Sequence, residues 1–135
     1  MRTLEFRTGK YESFGIGYGA DSYWGLAIAE YPGGYRISKY QHSEWTEWVD
    51  LNEEYHDIAD QLLDFFESPL IKERLDQWKS ECQVWTPHPR EFSFRLTRGN
   101  AVAFDWSGAC GMVLDDLPTG FRSLIELLEA LSDFA

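Results

Sequence analysis

The residue types and spacings that could do chemistry fall in a few short runs. Ser107-Gly108-Ala109-Cys110-Gly111 sets a thiol in a glycine-flanked turn of the kind that presents a nucleophile. A thiol enzyme also needs a base such as His88 within hydrogen-bond reach. Tight loops commonly place glycines beside a small buried residue, so the catalytic reading is the minor one. Gly15-Ile16-Gly17-Tyr18-Gly19-Ala20 invites comparison with a phosphate-binding loop. Such a loop needs a helix straight after it, with its amides facing the phosphate. Here the glycines alternate with apolar residues in a strand pattern and another strand follows, so they read as a face of close backbone approach. Asp105, Asp115 and Asp116 carry oxygen ligands suited to a divalent cation, but at no EF-hand spacing. His42, His56 and His88 show no metal-ligand spacing, and no Cys-x-x-Cys occurs. His56 sits beside acids that favour its protonated form, and reads as a solvated helix residue. No cofactor or metal is expected.

The strongest signal is electrostatic. Residues 41–71 hold nine acids (Glu44, Glu47, Asp50, Glu53, Glu54, Asp57, Asp60, Asp64 and Glu67) and no Lys or Arg. They supply −9 of a net charge of −11. Glu53, Asp57, Asp60, Asp64 and Glu67 follow at steps of four and three, which makes one stripe along a helix. None is paired within that helix, and like charges at this spacing repel by a few tenths of a kcal/mol per pair. A binding use would explain the cost, and so would an Arg from elsewhere in the fold, with Arg90, Arg95 and Arg98 as candidates. Just before the stripe, Glu44-Trp45-Thr46-Glu47-Trp48-Val49-Asp50 mixes aromatic anchors with acids, and Tyr40 is close by. Rings ringed by carboxylates suit a basic protein surface. The competing reading has Trp45 and Trp48 covering a sheet edge while the acids face water.

The elements that must position these residues follow from periodicity. Leu4 and Phe6 alternate with polar residues over 3–7, 14–19 alternates apolar residues with glycines, and the runs 23–31 and 35–40 flank Pro32-Gly33-Gly34, a hairpin signal. Asp50 with Glu53 reads as a capping box for a helix carrying Tyr55, Ile58, Leu62, Phe65 and Phe66 on one face. Ser68-Pro69 reads as the start of a second helix with Ile71, Leu75 and Trp78 inward. Phe92, Phe94 and Leu96, then Val102, Phe104 and Trp106, alternate on either side of Thr97-Arg98-Gly99-Asn100, a second hairpin. Residues 107–117 read as a loop or short strand. From about Pro118 a last helix carries Phe121, Leu124, Ile125, Leu128 and Leu131 on one side. The pattern predicts one α+β domain over 1–135. It has an antiparallel sheet of five to six strands built from hairpins, with two central helices and a C-terminal helix packed on one face.

Length and composition agree with that. A chain of 135 residues with 44% hydrophobic and 16% aromatic residues can bury a core without a disulfide or metal. Cys82 and Cys110 read as ordinary thiols. Met1-Arg2-Thr3-Leu4-Glu5-Phe6-Arg7 lacks the apolar run of a secretory segment, and no stretch approaches the length of a membrane span. A reduced, cytoplasmic protein is therefore expected.

So acidic a chain is a poor partner for nucleic acid or an anionic membrane. The preferred reading is a non-catalytic protein that binds a basic protein partner through Tyr40, Glu44, Trp45, Glu47, Trp48, Glu53, Asp57, Asp60 and Asp64. In size, acidity and lack of catalytic motifs the chain resembles the broad group of bacterial or phage immunity-type inhibitors of toxins and nucleases, without a motif that assigns a family. A related form is a mimic of the phosphate row of DNA. Two other classes stand beside it. One is a small enzyme or ligand-binding domain whose pocket lies between sheet and helices near residues 15–19 and 106–116. The other is an assembly subunit of phage type, and a homodimer is compatible with either.

Overall fold

In a computed structural model, residues 1–10, 24–41, 44–82, 90–110 and 119–133 are described. Two hairpins and one strand between them carry the sheet. β1 (Arg2–Lys10) lies between β2 (Trp24–Tyr31) and β6 (Arg90–Arg98) and runs antiparallel to both. β2 turns through Pro32-Gly33 into β3 (Gly34–Gln41), with Gly33 at φ 97°. β6 turns through Gly99-Asn100 into β7 (Ala101–Cys110), with Gly99 at φ 61°. Positive φ is where glycine costs least, so both hairpins turn where the glycines stand. Two short strands, β4 (Glu44–Trp45) and β5 (Val49–Asp50), both pair with β3. The order is β4-β3-β2-β1-β6-β7, with β5 also on β3, in one seven-stranded antiparallel sheet. The two extra-short strands are what exceeds the five to six expected from alternation. The α+β architecture is as expected.

Strand parity decides what meets the helices. Leu4 lies opposite Ile28 and Leu96, and Phe6 opposite Leu26 and Phe94. All six are at most 1% exposed. Against them pack α1 (His56–Glu67), α2 (Ile71–Glu81) and α3 (Thr119–Asp133). Phe66 of α1 meets Phe94 at 4.9 Å between ring centres, and Phe121 of α3 meets Phe92 at 4.8 Å. Trp106 of β7 donates its indole N–H to Asp76 of α2 at 2.9 Å. These sheet residues share one face, so the three helices lie on that face. Each ring of this size withdrawn from water contributes about 2 kcal/mol. All five apolar residues expected on α3 are buried, as are Ile71 and Leu75 on α2. On α1 the buried line is Ala59, Leu62, Leu63 and Phe66, with Tyr55, Ile58 and Phe65 half-buried beside it.

Two local expectations are corrected. Asp50 does not cap α1: it sits in β5, paired with Arg36, and a 3₁₀ turn over Glu53–Tyr55 leads into the helix. Ser68 is not the cap of a helix starting at Pro69. Its backbone ends α1, its hydroxyl accepts from the Leu70 N–H at 3.3 Å, and α2 begins at Ile71. Of the loop or short strand expected over 107–117, residues 107–110 take the strand form as the end of β7, and 111–117 lie outside the described residues. The 14–19 strand, Gly15 to Gly19, His42, His88, Asp115 and Asp116 lie outside the described residues, as does the side chain of Cys110. Cys82 is buried in the core. No helix among the described residues is long and apolar enough to cross a membrane.

Candidate functional site

Arg2 has the same parity as Leu4 and Phe6, so its side chain leaves the sheet on the helix side. There it meets four carboxylates. Its Nε donates to Glu30 Oε1 at 3.1 Å, and Nη2 donates to Asp60 Oδ1 at 3.1 Å. Nη1 donates to Asp64 Oδ1 at 2.6 Å and also to Glu67. Arg98, opposite Arg2 in the register, reaches the other oxygen of Glu67. The lower half of the acidic stripe is thus held by cations from β1 and β6. Burial works against the charged form of Arg2, but its bonds to Glu30, Asp64 and Glu67 outweigh this and raise its pKa. The bond from Arg2, against a smaller cost of burial, lowers the pKa of Glu30.

Tyr35 extends this network. Its hydroxyl donates to Asp60 Oδ1 at 2.8 Å, the oxygen that Arg2 also holds. Burial first, and the bond to Asp60 second, push its pKa up to about 12. His56 is not a solvated helix residue. Its Nε2 donates to the Leu51 carbonyl at 2.9 Å and its ring meets the edge of Tyr35 at 5.2 Å.

The aromatic–acid run lies along the outer side of β3. Thr46 fastens its middle: the Thr46 N–H donates to the Lys39 carbonyl at 2.8 Å, and Ser38 Oγ donates to the Thr46 carbonyl at 2.6 Å. Trp45 faces Tyr40 across β3–β4, with ring centres 5.3 Å apart. Arg7 reaches over both, 5.0 Å from the Tyr40 ring and 5.9 Å from Trp45. Gly25 stands between Arg7 and Tyr40 in the register. A Cβ there would lie 3.1 Å from both side chains, so the glycine opens this crossing. Arg7 alternates with Phe6, which puts the cluster on the face away from the helices. Asp50 accepts from Tyr31 at 2.8 Å and from Arg36 at 3.0 Å; both bonds lower its pKa, Tyr31 more.

The expected site is therefore divided. Tyr40 and Trp45 come together on the open face. Asp60 and Asp64 sit on the helix side near Tyr35, five residues away along β3, roughly 17 Å at strand rise. They are tied to Arg2. Of the suspected neutralising arginines, Arg98 reaches the stripe, whereas Arg95 pairs with Asp105 at 3.2 Å. The Arg90 side chain is outside the described residues. What remains is a run from Glu44 to Asp57. Trp48 and Val49 are exposed at 47% and 44%. In the same run Glu44, Glu47, Glu53, Glu54 and Asp57 are exposed and have no ion pair among the described residues. Among the described residues, no group of three or more His, Cys, Asp or Glu is placed to hold a metal ion. Arg2, Glu30, Tyr35 and Val49 were not on the sequence-derived site. The parity of Arg2 with Leu4 and Phe6 is the signal that finds the first of them.

No protein-family model matches the chain, and no curated protein matches it at a significant level.

Proposed function

We propose that this is a non-catalytic binding protein that recognises a basic protein surface through the run from Glu44 to Asp57. The observation that supports it is the exposure of Trp48 and Val49 in a run with five exposed acids that no described residue pairs with. Four carboxylates elsewhere pair with Arg2, and Asp50 pairs with Arg36, whereas the other acids of this run have no ion pair among the described residues. Carboxylates speed encounter with a basic partner, and desolvated aromatic and aliphatic anchors hold the complex. The sharpest form of this reading is an immunity-type inhibitor of a basic toxin or nuclease. Tyr40 and Trp45 then serve to stiffen the edge rather than to contact the target.

The test is affinity capture from native lysate at low and moderate salt, with mass spectrometry of the bound fraction. One basic protein held in stoichiometric amount, and weakened by salt as exposed charges are screened beyond about 8–10 Å, is expected. Empty resin sinks the reading. So does equal retention by a variant in which Trp48 is Ala and the five acids are amides.

A further inference from the structure

Three cavities among the described residues differ in whether their polar groups are already occupied. The cleft of about 520 Å³ beside Gly34 is lined by Glu30, Tyr31, Tyr35 and His56. Each of these holds a partner described above, so its polarity is structural. The cleft of about 270 Å³ at the α1–α2 turn is lined mostly by apolar residues such as Phe66, Pro69, Ile71 and Phe104; its Glu67 is bonded to Arg2 and Arg98, and its Lys72 shares that lining with no carboxylate left unbonded. The third, about 420 Å³, lies where β2 begins and β3 ends, against the last turn of α3. Trp24, Lys39, Gln41, Glu129, Ser132 and Asp133 line it. Among the described residues none of these six side chains makes a hydrogen bond or ion pair.

Lys39, Glu129 and Ser132 are half-buried, where an unmatched polar group costs more than on open surface. Lys39 shares the cavity lining with two carboxylates, and no ion pair joins it to either. Glu129 and Asp133 are four apart on α3 and lie on one helix face. Trp24 is fixed in place by an edge contact with Phe6, ring centres 5.3 Å apart. Water or single ions satisfy these charges one at a time. A small molecule carrying both an ammonium and a carboxylate satisfies them together and can lay an apolar part on the indole.

We propose that this cavity binds a free α-amino acid of apolar side chain. Its carboxylate meets the Lys39 ammonium, its ammonium sits against Glu129 and Asp133, and its hydrocarbon part rests on Trp24. Gln41 and Ser132 supply the remaining hydrogen bonds. The site is separate from the run around Trp48, and its occupancy does not depend on a protein partner.

The test is an NMR titration of the full chain with L-leucine, beside leucinamide, which lacks the carboxylate, and N-acetyl-leucine, which lacks the ammonium. Saturable shifts of the Trp24 indole and the Ser132 and Asp133 amides are expected with leucine. Each analogue should bind about tenfold more weakly, since each loses one charged contact. Lys39→Met should erase the preference for leucine over leucinamide, and Glu129→Gln should reduce the preference over N-acetyl-leucine. The analogue series uses the unaltered chain, so it decides even if a variant folds poorly. Absence of a saturable shift, or equal binding of all three compounds, overturns the proposal. Tighter binding of leucinamide does so too, since it would mark a plain cation site set by the two carboxylates.

Discussion

Arg2 Nη1 donates to Asp64 Oδ1 at 2.6 Å, tying the second residue of the chain to the middle of α1. The Arg2 side chain is 11% exposed and is shared among Glu30, Asp60, Asp64 and Glu67. Removing it leaves those carboxylates crowded around an empty site. Breaking a fully buried pair costs about 3–5 kcal/mol. Asp60 and Asp64 are more than half exposed, at 53% and 66%, so water recovers part of that. Arg2→Met should lower unfolding free energy by about 2–3 kcal/mol in urea titrations. Arg2→Lys should fall between, because an ammonium cannot fork to so many oxygens. A loss below about 0.5 kcal/mol would show the hub to be ornamental.

The same network sets the pH range of stability from both ends. The Glu30 pKa is lowered in the fold, so its contribution is present above the unfolded value, about 4.3, and is lost as pH falls through the folded one. Tyr35 runs the other way. Its pKa rises from about 10 unfolded to about 12, so its contribution is full below 10 and is lost as pH climbs toward 12. Absorbance titration of the tyrosinates should contain one late step near pH 12 that vanishes in Tyr35→Phe. Persistence of that step in the variant would assign it to another tyrosine.

Gly25 tests the open face. A Cβ there would come within 2.4 Å of the Phe6 carbonyl oxygen, a backbone atom fixed in the central strand β1. Gly25→Ala should cost about 2 kcal/mol or more, since the sheet must shift to admit it. Gly33→Ala meets no atom within 4 Å and suffers only from its positive φ, roughly 1–2 kcal/mol. Denaturation midpoints should rank Gly25→Ala as the worse of the two. The reverse ranking would mean that the strands slide apart easily, and that Arg7 does not depend on the gap to reach Tyr40.

Much of this fold was legible because its signals are local. Alternation placed Phe92, Phe94 and Leu96, and helical spacing placed Phe121, Leu124, Ile125, Leu128 and Leu131, before any packing was known. Asp50 misled because a capping box and a two-residue edge strand draw on the same residues. Pairing of Val49-Asp50 with β3, sealed by Arg36 and Tyr31, won over the cap. The acidic stripe misled for the opposite reason. Its counter-charge lies 62 positions away in sequence, from Asp64 back to Arg2, where no local pattern reaches. Parity alone would have turned Arg2 inward and asked what met it there.

That division of the acids yields a final contrast. Asp60 and Asp64 bear on Arg2, whereas Glu47, Glu53 and Asp57 have no ion pair among the described residues. Asp60→Asn with Asp64→Asn should cost about 1–2 kcal/mol of stability by weakening charged hydrogen bonds. Glu47→Gln, Glu53→Gln and Asp57→Asn together should stay within about 0.5 kcal/mol of the parent. They could even gain slightly, because Glu53 and Asp57 are like charges four residues apart. The association rate with a basic partner should respond in the opposite order, falling most for the second set. Urea titration and stopped-flow mixing measure the two quantities separately. If the first set slows association more, the acids around Arg2 also face the partner, and the recognition surface extends along the whole of α1.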